Sequence, residues 1–462
     1  MKVLILDGSL RGDEAAVAVG DLLARKLRHA DGVVERRLLR DLEVAPCRAC
    51  FGCWTQTPGI CTTDDAARGV ARDMVQADLL VLLTSVTFGG YSSALKKVLD
   101  RSIGNISPFF TMMMGETHHP ARYDHAARVV TVGVQEVRDE AAQVVFRILA
   151  ARNAVNFHAP AAASGVVVSG EGPDAAEAMV ESLLEQVGVG PRGERPLRPA
   201  AESPEAHLTT AHLLEVGAGT ASSGERPGRA LLLIGSPRPK RSTSAALGDH
   251  LSLSFRRSGI AVDRLTVREV LDEEGSGRDA LASALGRAGL LVLAFPLYVD
   301  ALPAPLVAVL EWVAARGLPA DSAVRVAALV NSGFPEAVQC TPALSVARRF
   351  AEETGMSWAG GLALGAGAAI DGRALDAAGD LARSVRRALD SAAVALAEGR
   401  PLTRAMVETM ATPMMPAREY RLAGDRGFHA WAKARGTENH LADRPYEPCL
   451  ATEPSWKRTP DG

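Results

Sequence analysis

The feature that most constrains this chain is that it is written twice. Residues 3–11 read VLILDGSLR, and residues 230–238 read ALLLIGSPR. Residues 77–89 (ADLLVLLTSVTFG) match residues 288–300 (AGLLVLAFPLYVD), and a leucine, Leu95 or Leu306, follows each at the same distance. Residues 127–134 pair in the same way with residues 324–333. Each copy therefore gives an apolar strand, a Gly-Ser loop, a helix, and then further strands alternating with amphipathic segments. That alternation predicts an α/β fold with parallel sheets covered on both faces by helices.

The expected organisation follows from the repeat. A first domain spans 1–186 and a second spans 229–400. Between them, 187–228 is rich in Pro, Gly, Ser, Arg and Glu and reads as an exposed linker. In 401–462 the pattern breaks down into a tail carrying Met406, Met410, Met414, Met415, Phe428, Trp431 and Tyr446, apolar enough to pack onto a domain or a neighbouring subunit.

With 462 residues the chain exceeds what one core organises. Its net charge of -3, with both signs interspersed, offers no footprint for nucleic acid or an anionic membrane. A small-molecule partner is expected instead. The opening MKVLILDGSLRG reads as a buried strand and not as a signal peptide, and no stretch reaches the roughly 18–20 apolar residues of a membrane helix. The expectation is a cytoplasmic protein, where clustered cysteines are more often metal ligands or redox thiols than structural disulfides.

Phosphate chemistry is written into the second copy only. Gly235-Ser236-Pro237-Arg238-Pro239-Lys240-Arg241-Ser242-Thr243-Ser244 follows a strand and opens a helix, offering backbone N–H groups, hydroxyls and cations to a dianion. A Mg-nucleotide loop needs its Lys in another glycine context, so a metal-free monophosphate is the better guest. The first copy has Asp13 and Glu14 in place of Lys240 and Arg241, and Ala15, Ala16 and Val17 in place of Ser242, Thr243 and Ser244. Two carboxylates there would repel a phosphate. The bland alternative for the second copy is that its serines and threonine only cap a helix.

Two later loops of the second copy lie at predicted strand ends. These are Pro296-Leu297-Tyr298-Val299-Asp300, after Phe295, and Asn331-Ser332-Gly333, before Phe334 and Pro335. Such positions can present backbone groups to the edge of a flat heterocycle, although ordinary loops use the same residue types.

On these residues the chain resembles the flavodoxin-like NAD(P)H-dependent oxidoreductases, the group of NADPH-dependent FMN reductases, quinone reductases and iron-sulfur flavoproteins, in tandem duplication. GSPRPKRSTS resembles the family's FMN-phosphate loop, FPLYVDALPAPL its isoalloxazine loop, and NSGFPE with WAGGLALGAG its later strand ends. In the first copy PCRACFGCW, PGIC, TSVTFGGYSSALKKVLDR and SPFF with GETHHPARYD resemble a cysteine-bearing branch, and PMMP, GDRGF and RPY in the tail are similar to the same group. The resemblance implies two tandem doubly wound, parallel, five-stranded sheets, FMN held without a covalent bond, and NAD(P)H as electron donor. It implies that Ser236, Arg238, Ser242, Thr243 and Ser244 contact the phosphate, while Pro296, Leu297, Tyr298, Val299 and Asp300 and Asn331, Ser332 and Gly333 sit against the ring. Tyr298, Asp300 and Tyr91 are at most modulators near that ring. It further implies a homo-oligomer or an internal pseudo-dimer, with 84–92 of the first copy helping to wall the pocket. The expected activity is reduction of a quinone-like or other small organic acceptor by hydride transfer through flavin. The alternatives are an electron carrier serving a protein partner and a scaffold without flavin.

Four of the six cysteines, Cys47, Cys50, Cys53 and Cys61, are spaced C-x2-C-x2-C-x7-C. Four thiolates suit a [4Fe-4S] cluster, as in the iron-sulfur flavoproteins, or zinc; free or redox thiols are the plainer reading. Cys340 and Cys449 are isolated and read as small apolar residues. His118 and His119 lie in an expected insertion with Phe109 and Phe110, where metal binding is the minor reading. For Arg122 and Tyr123, surface structure is expected ahead of a phosphate contact.

Overall fold

A computed structural model describes residues 1–190, 197–238, 241–272, 275–317 and 323–447. The chain divides into two compact units, Met1–His207 with Arg421–Gly462, and Leu208–Tyr420. The first contains the strands β1 (Lys2–Gly8), β2 (Val33–Leu38), β3 (Leu79–Thr87), β4 (Gly90–Tyr91), β5 (Thr111–Met113), β6 (Glu116–His118), β7 (Arg128–Gln135) and β8 (Ala162–Val168). The second contains β9 (Arg229–Ile234), β10 (Ala261–Thr266), β11 (Leu290–Pro296), β12 (Arg325–Asn331) and β13 (Ser357–Leu364).

The main strands form two sheets, in the orders β2-β1-β3-β7-β8 and β10-β9-β11-β12-β13. Every pairing along both orders is parallel. Ranked by position in the chain, both read 2-1-3-4-5, the order of flavodoxin-like doubly wound sheets. The architecture is thus two tandem flavodoxin-like α/β domains. β4 turns back antiparallel on β3, and β5 and β6 make a separate hairpin.

Burial on both faces explains the composition of the central strands. In unit 1, Val3, Ile5, Leu79, Val81, Val130 and Val132 pack with the helices Glu14–His29 and Pro173–Gln186. The alternate residues Leu4, Leu6, Leu80 and Leu82 are buried as well, and the helices Ser93–Arg101 and Glu140–Asn156 also contact the sheet. Strands covered on both faces have no polar side, hence the continuous Leu and Val runs. The edge strands β2 (VVERRL) and β10 (AVDRLT) carry charges instead, which discourages pairing with another chain.

The two units repeat at the level of single contacts. A methyl group at Gly8 would lie 2.5 Å from Cβ of Leu95, and one at Gly235 would lie 2.6 Å from a methyl carbon of Leu306. The Gly-Ser loops therefore need glycine so that the helix after β3 or β11 can pack under them. Arg128 and Arg325 both stand first in their strands, β7 and β12. Arg128 donates to the carbonyl of Val187 at 2.7 Å, and Arg325 donates to those of Gly399 and of Leu396 (3.2 Å). Each guanidinium thus satisfies carbonyls at the end of the helix that follows the last strand of its sheet.

The segment 187–228, expected as linker, contributes to both units. Ala200 and Ala206 are buried, and the helix Thr210–Gly217 buries Leu213 and Val216. Within 401–462, the helix Arg404–Ala411 buries Val407 and Met410 in unit 2, while residues from Arg421 onward belong to unit 1.

Gly8→Ala and Gly235→Ala are each expected to lower the urea-unfolding free energy by about 1–3 kcal/mol through overpacking. Gly228→Ala, at which a methyl group would meet no atom within 4 Å, is expected to leave it unchanged.

Candidate functional site

In open parallel sheets, ligands bind beyond the carboxyl ends of the strands. At that edge of unit 2, β9 runs into the loop that opens the helix Thr243–Arg257. Pro239 and Lys240 lie outside the described residues. Ser236 is buried, and its hydroxyl accepts from the N–H of Arg238 at 3.4 Å; Arg238 is half-buried. Ser242 caps the helix, accepting from the N–H of Ala245 at 3.2 Å. Thr243 donates to the carbonyl of Gly367 at 3.0 Å and accepts from the N–H of Gly372 at 3.3 Å. Ser244, fully buried, donates to Oδ1 of Asn331 at 2.7 Å. The structure therefore brings the helix start and the end of β12 together through one buried hydrogen bond.

Beside this bond lies the loop after β11. The N–H of Leu297 donates to the carbonyl of Asn331 at 2.8 Å, so the 296–300 and 331–333 segments are joined. Tyr298 and Ala301 exchange both backbone hydrogen bonds at 3.0 Å. The two residues between them, Val299 (φ +46°) and Asp300 (φ +56°), are both left-handed. Hairpin turns of this kind favour Asn and Gly, and a β-branched valine there stores of order 1–3 kcal/mol of strain. Unit 1 makes the same turn at the matching place, with Thr87 paired to Gly90 and Phe88 (φ +53°) and Gly89 (φ +74°) between them. Of the remaining candidates, Asn331, Ser332 and Asp300 are buried, Pro296 is half-buried and Gly333 is exposed. Ser332 accepts from the N–H of Phe334 at 2.9 Å.

Tyr420 was not legible as part of this edge. Its hydroxyl donates to the carbonyl of Gly333 at 2.7 Å, and burial, with Glu336 nearby, pushes its phenol upward. It stands far along the chain, inside no motif.

The equivalent edge of unit 1 is closed by its own acid. Asp13 caps the helix Glu14–His29, Oδ1 accepting from the N–H of Ala16 at 2.9 Å. Its other oxygen accepts from the hydroxyl of Ser85, which itself accepts from the N–H of Leu10 at 3.2 Å. Behind it, buried Asp7 pairs with Arg36 at 2.6 Å. A carboxylate already holds the helix amino end, where a phosphate would be repelled.

The four clustered cysteines are free thiols. Cys53 is buried and Cys50 exposed; Cys47 and Cys61 are intermediate. Burial pushes the Cys47 thiol up to about 12 and the Cys53 thiol well above its usual range, and neighbouring thiols add to both shifts. Metal ligation needs thiolates converging on one centre. Among the described residues no group of three or more His, Cys, Asp or Glu is arranged to hold a metal ion. A zinc site or a [4Fe-4S] cluster is therefore unsupported by the described residues, and no step is routed through one. Cys340 is buried, and Cys449 lies outside the described residues.

What surrounds the thiols is structural. Arg101 holds Asp65 with two hydrogen bonds (2.8 and 3.0 Å). Arg122 donates to the carbonyls of Gly104, Ile106, Leu441 and Asp443. Phe51 stacks on Trp54 at 5.2 Å, and Phe428 meets Trp54 edge-on at 5.3 Å. Thr437 donates to the carbonyl of Thr55 at 2.8 Å, and Pro445 would be struck by any side chain at Gly59. The chain's last described segment therefore lies over the cysteine loop. His118 contacts Asn156 at 3.1 Å, and His119 contacts the carbonyl of Phe109 at 2.9 Å.

Residues 1–168 match the family model of NADPH-dependent FMN reductase. The matched stretch is the first copy, whereas the hydroxyl-bearing phosphate-type loop is in the second. No curated protein matches. Among solved structures, an azoreductase from Bacillus anthracis str. Sterne is 16% identical, covering 37% of this chain and 98% of its own, with a TM-score of 0.26. An NAD(P)H:quinone oxidoreductase from Methanothermobacter marburgensis is 18% identical, covering 35% and 94%, with a TM-score of 0.25. The Trp repressor binding protein from Bacillus subtilis is 14% identical, covering 32% and 94%, at 0.25. Likeness of this size decides nothing about activity, and the fold rests on the strand orders above. No helix among the described residues is long and apolar enough to cross a membrane.

Two measurements check this site. On the native full chain at pH 8, a thiol-specific disulfide reagent is expected to modify Cys50 first and to reach Cys53 and Cys340 only after denaturation. Burial also lowers the pKa of His119 from 6.5 to about 4. A lowered folded-state value means that the unfolded chain takes the proton first as pH falls. The stability contributed by neutral His119 is therefore complete above about pH 6.5 and is lost toward pH 4, up to about 3 kcal/mol. Urea unfolding across that window should show a shallower decline for His119→Phe than for the natural chain.

Proposed function

We propose that the chain is a flavin-dependent NAD(P)H oxidoreductase that reduces a quinone-like or other small organic acceptor, with FMN held by unit 2. The observation that carries this reading is the joined edge of that unit. A hydroxyl-rich helix start, a strained two-residue turn and the Asn331 strand end are tied together by the Ser244 and Leu297 hydrogen bonds. The family match over residues 1–168 supports the same class of chemistry.

Bound FMN would supply the redox chemistry, taking a hydride from NAD(P)H and passing reducing equivalents to the acceptor. The chain's own residues bind and orient. Ser236, Arg238, Ser242 and Thr243, with the first amides of the helix Thr243–Arg257, suit a phosphate dianion. The expected contact from Ser244 is corrected, because its one hydroxyl proton is already donated to Asn331 and ties the helix start to β12. Pro296, Leu297, Tyr298, Val299 and Asp300, with Asn331, Ser332 and Gly333, suit the edge and face of a flat heterocycle. Tyr420 fixes the Gly333 carbonyl and so the course of the 331–333 loop. No side chain is needed as an obligatory acid or base for hydride transfer. Unit 1 takes no FMN in this reading, because Asp13 fills the helix start. The reading uses no [4Fe-4S] cluster on Cys47, Cys50, Cys53 and Cys61, since no metal-holding group is found among the described residues.

The test is reconstitution of the full chain with FMN, followed by a flavin count and NAD(P)H oxidation with a small quinone. One flavin per chain and steady turnover are expected. Arg238→Ala with Ser244→Ala is expected to weaken FMN binding at least about tenfold, the loss of charge-assisted and buried hydrogen bonds, while Asp13→Asn leaves it unchanged. A chain that binds no flavin sinks the reading, and two flavins per chain sink the assignment to unit 2 alone.

A further inference from the structure

We propose that residues 365–373 form a strap that shuts the phosphate-type loop of unit 2 and must lift before a phosphate can reach the hydroxyl of Thr243. This rests on the reading of that loop given above. The strap begins where β13 ends and belongs to a long connection, 365–382, leading to the helix Arg383–Ala397. In unit 1 the corresponding connection, between β8 and the helix Pro173–Gln186, is only 169–172. The strap is therefore an addition confined to the copy whose loop has the phosphate-type residues.

Its contacts fall on the residues a phosphate would use. Thr243 spends both its donor and an acceptor site on it, through the Gly367 carbonyl (3.0 Å) and the Gly372 N–H (3.3 Å). Asp371 pairs with Arg241 at 3.2 Å. The two backbones are in direct contact: a methyl group at Gly372 would lie 2.2 Å from the carbonyl carbon of Arg241 and 2.6 Å from the nitrogen of Ser242. Arg241 (φ +52°), Ala366 (φ +56°) and Asp371 (φ +52°) are all left-handed without being glycine. Such conformations persist only where surrounding contacts hold them, so both sides of the closure carry strain that the closed contacts hold in place.

The closure is also removable, unlike that of unit 1. Asp13 is the cap of its own helix and cannot leave without uncapping it. The Arg241–Asp371 pair is exposed on both sides, 75% and 52%, and exposed pairs contribute little. An incoming dianion brings more charge to the helix start than the strap does, because Thr243 faces neutral backbone groups there.

The experiment titrates FMN into the full chain, the Asp371→Asn variant and the Asp376→Asn variant, reading flavin fluorescence. It also follows hydrogen exchange at the Gly372 amide with and without saturating FMN. Asp376 lies on the same connection and pairs with Arg386, at 3.8 Å, so its variant reports plain loss of charge. Expected are a Kd about two- to fivefold lower for Asp371→Asn, the worth of one exposed pair, no such change for Asp376→Asn, and faster Gly372 exchange with FMN bound. FMN binding with equal Kd in natural chain and Asp371→Asn, or equal tightening by both variants, overturns the strap alone. So does Gly372 exchange that FMN leaves unchanged or slows. Absence of FMN binding in all three chains overturns the strap together with the functional reading beneath it.

Discussion

The buried hydrogen bond from Ser244 to Asn331 holds the candidate edge of unit 2 together. Ser244 stands in the first turn of the helix after β9, and Asn331 is the last residue of β12, two places across the sheet. Because both are buried, neither can exchange the bond for water, and breaking it would strand a polar group. The backbone of Asn331 extends the linkage by accepting from Leu297, so three loops from three strands share one residue. The strained Val299–Asp300 turn is carried on that framework.

The two units solve the same packing problem and then diverge at their carboxyl edges. Both place glycine under a leucine, both end a helix on an arginine, and both make the same two-residue turn. These are requirements of sheet and helix geometry, so they survive in both copies. The helix starts carry no such requirement. Unit 1 caps its helix with Asp13, and unit 2 caps with Ser242, beside which Thr243 and Ser244 bring further hydroxyls that are bonded to Gly367 and Asn331. A carboxylate at a helix amino end stabilises the helix by itself, whereas hydroxyls leave room for an external anion to do so.

In unit 1 the cysteine spacing is not accompanied by a metal-holding group among the described residues. The C-x2-C-x2-C-x7-C pattern fixes how many thiols are near one another, but ligation depends on whether the sulfurs converge. Here the loop turns through Ala49 and Phe51, both left-handed, with Cys53 buried and Cys50 exposed. The aromatic rings of Phe51, Trp54 and Phe428, with the last described segment of the chain, then cover the loop.

Much of the fold was legible because strand burial and helix periodicity are local patterns. The apolar runs of β1, β3, β9 and β11, the recurrence of Leu95 as Leu306 and the parallel topology all follow from residues read in order. The segment 187–228 was less legible, since the helix Thr210–Gly217 gains its stability by burying Leu213 and Val216 and not from a strong periodic signal. The residue types of the candidate site could be read in the same way, as hydroxyls and cations after a Gly-Ser loop. Their partners could not, because hydrogen bonds between Ser244 and Asn331, Thr243 and Gly367, or Tyr420 and Gly333 join positions 87 to 124 residues apart. Sequence by itself determined two sheets and the chemistry available at their edges. Only tertiary structure decided which of those groups already have partners, because a hydroxyl's availability depends on what the rest of the chain brings against it.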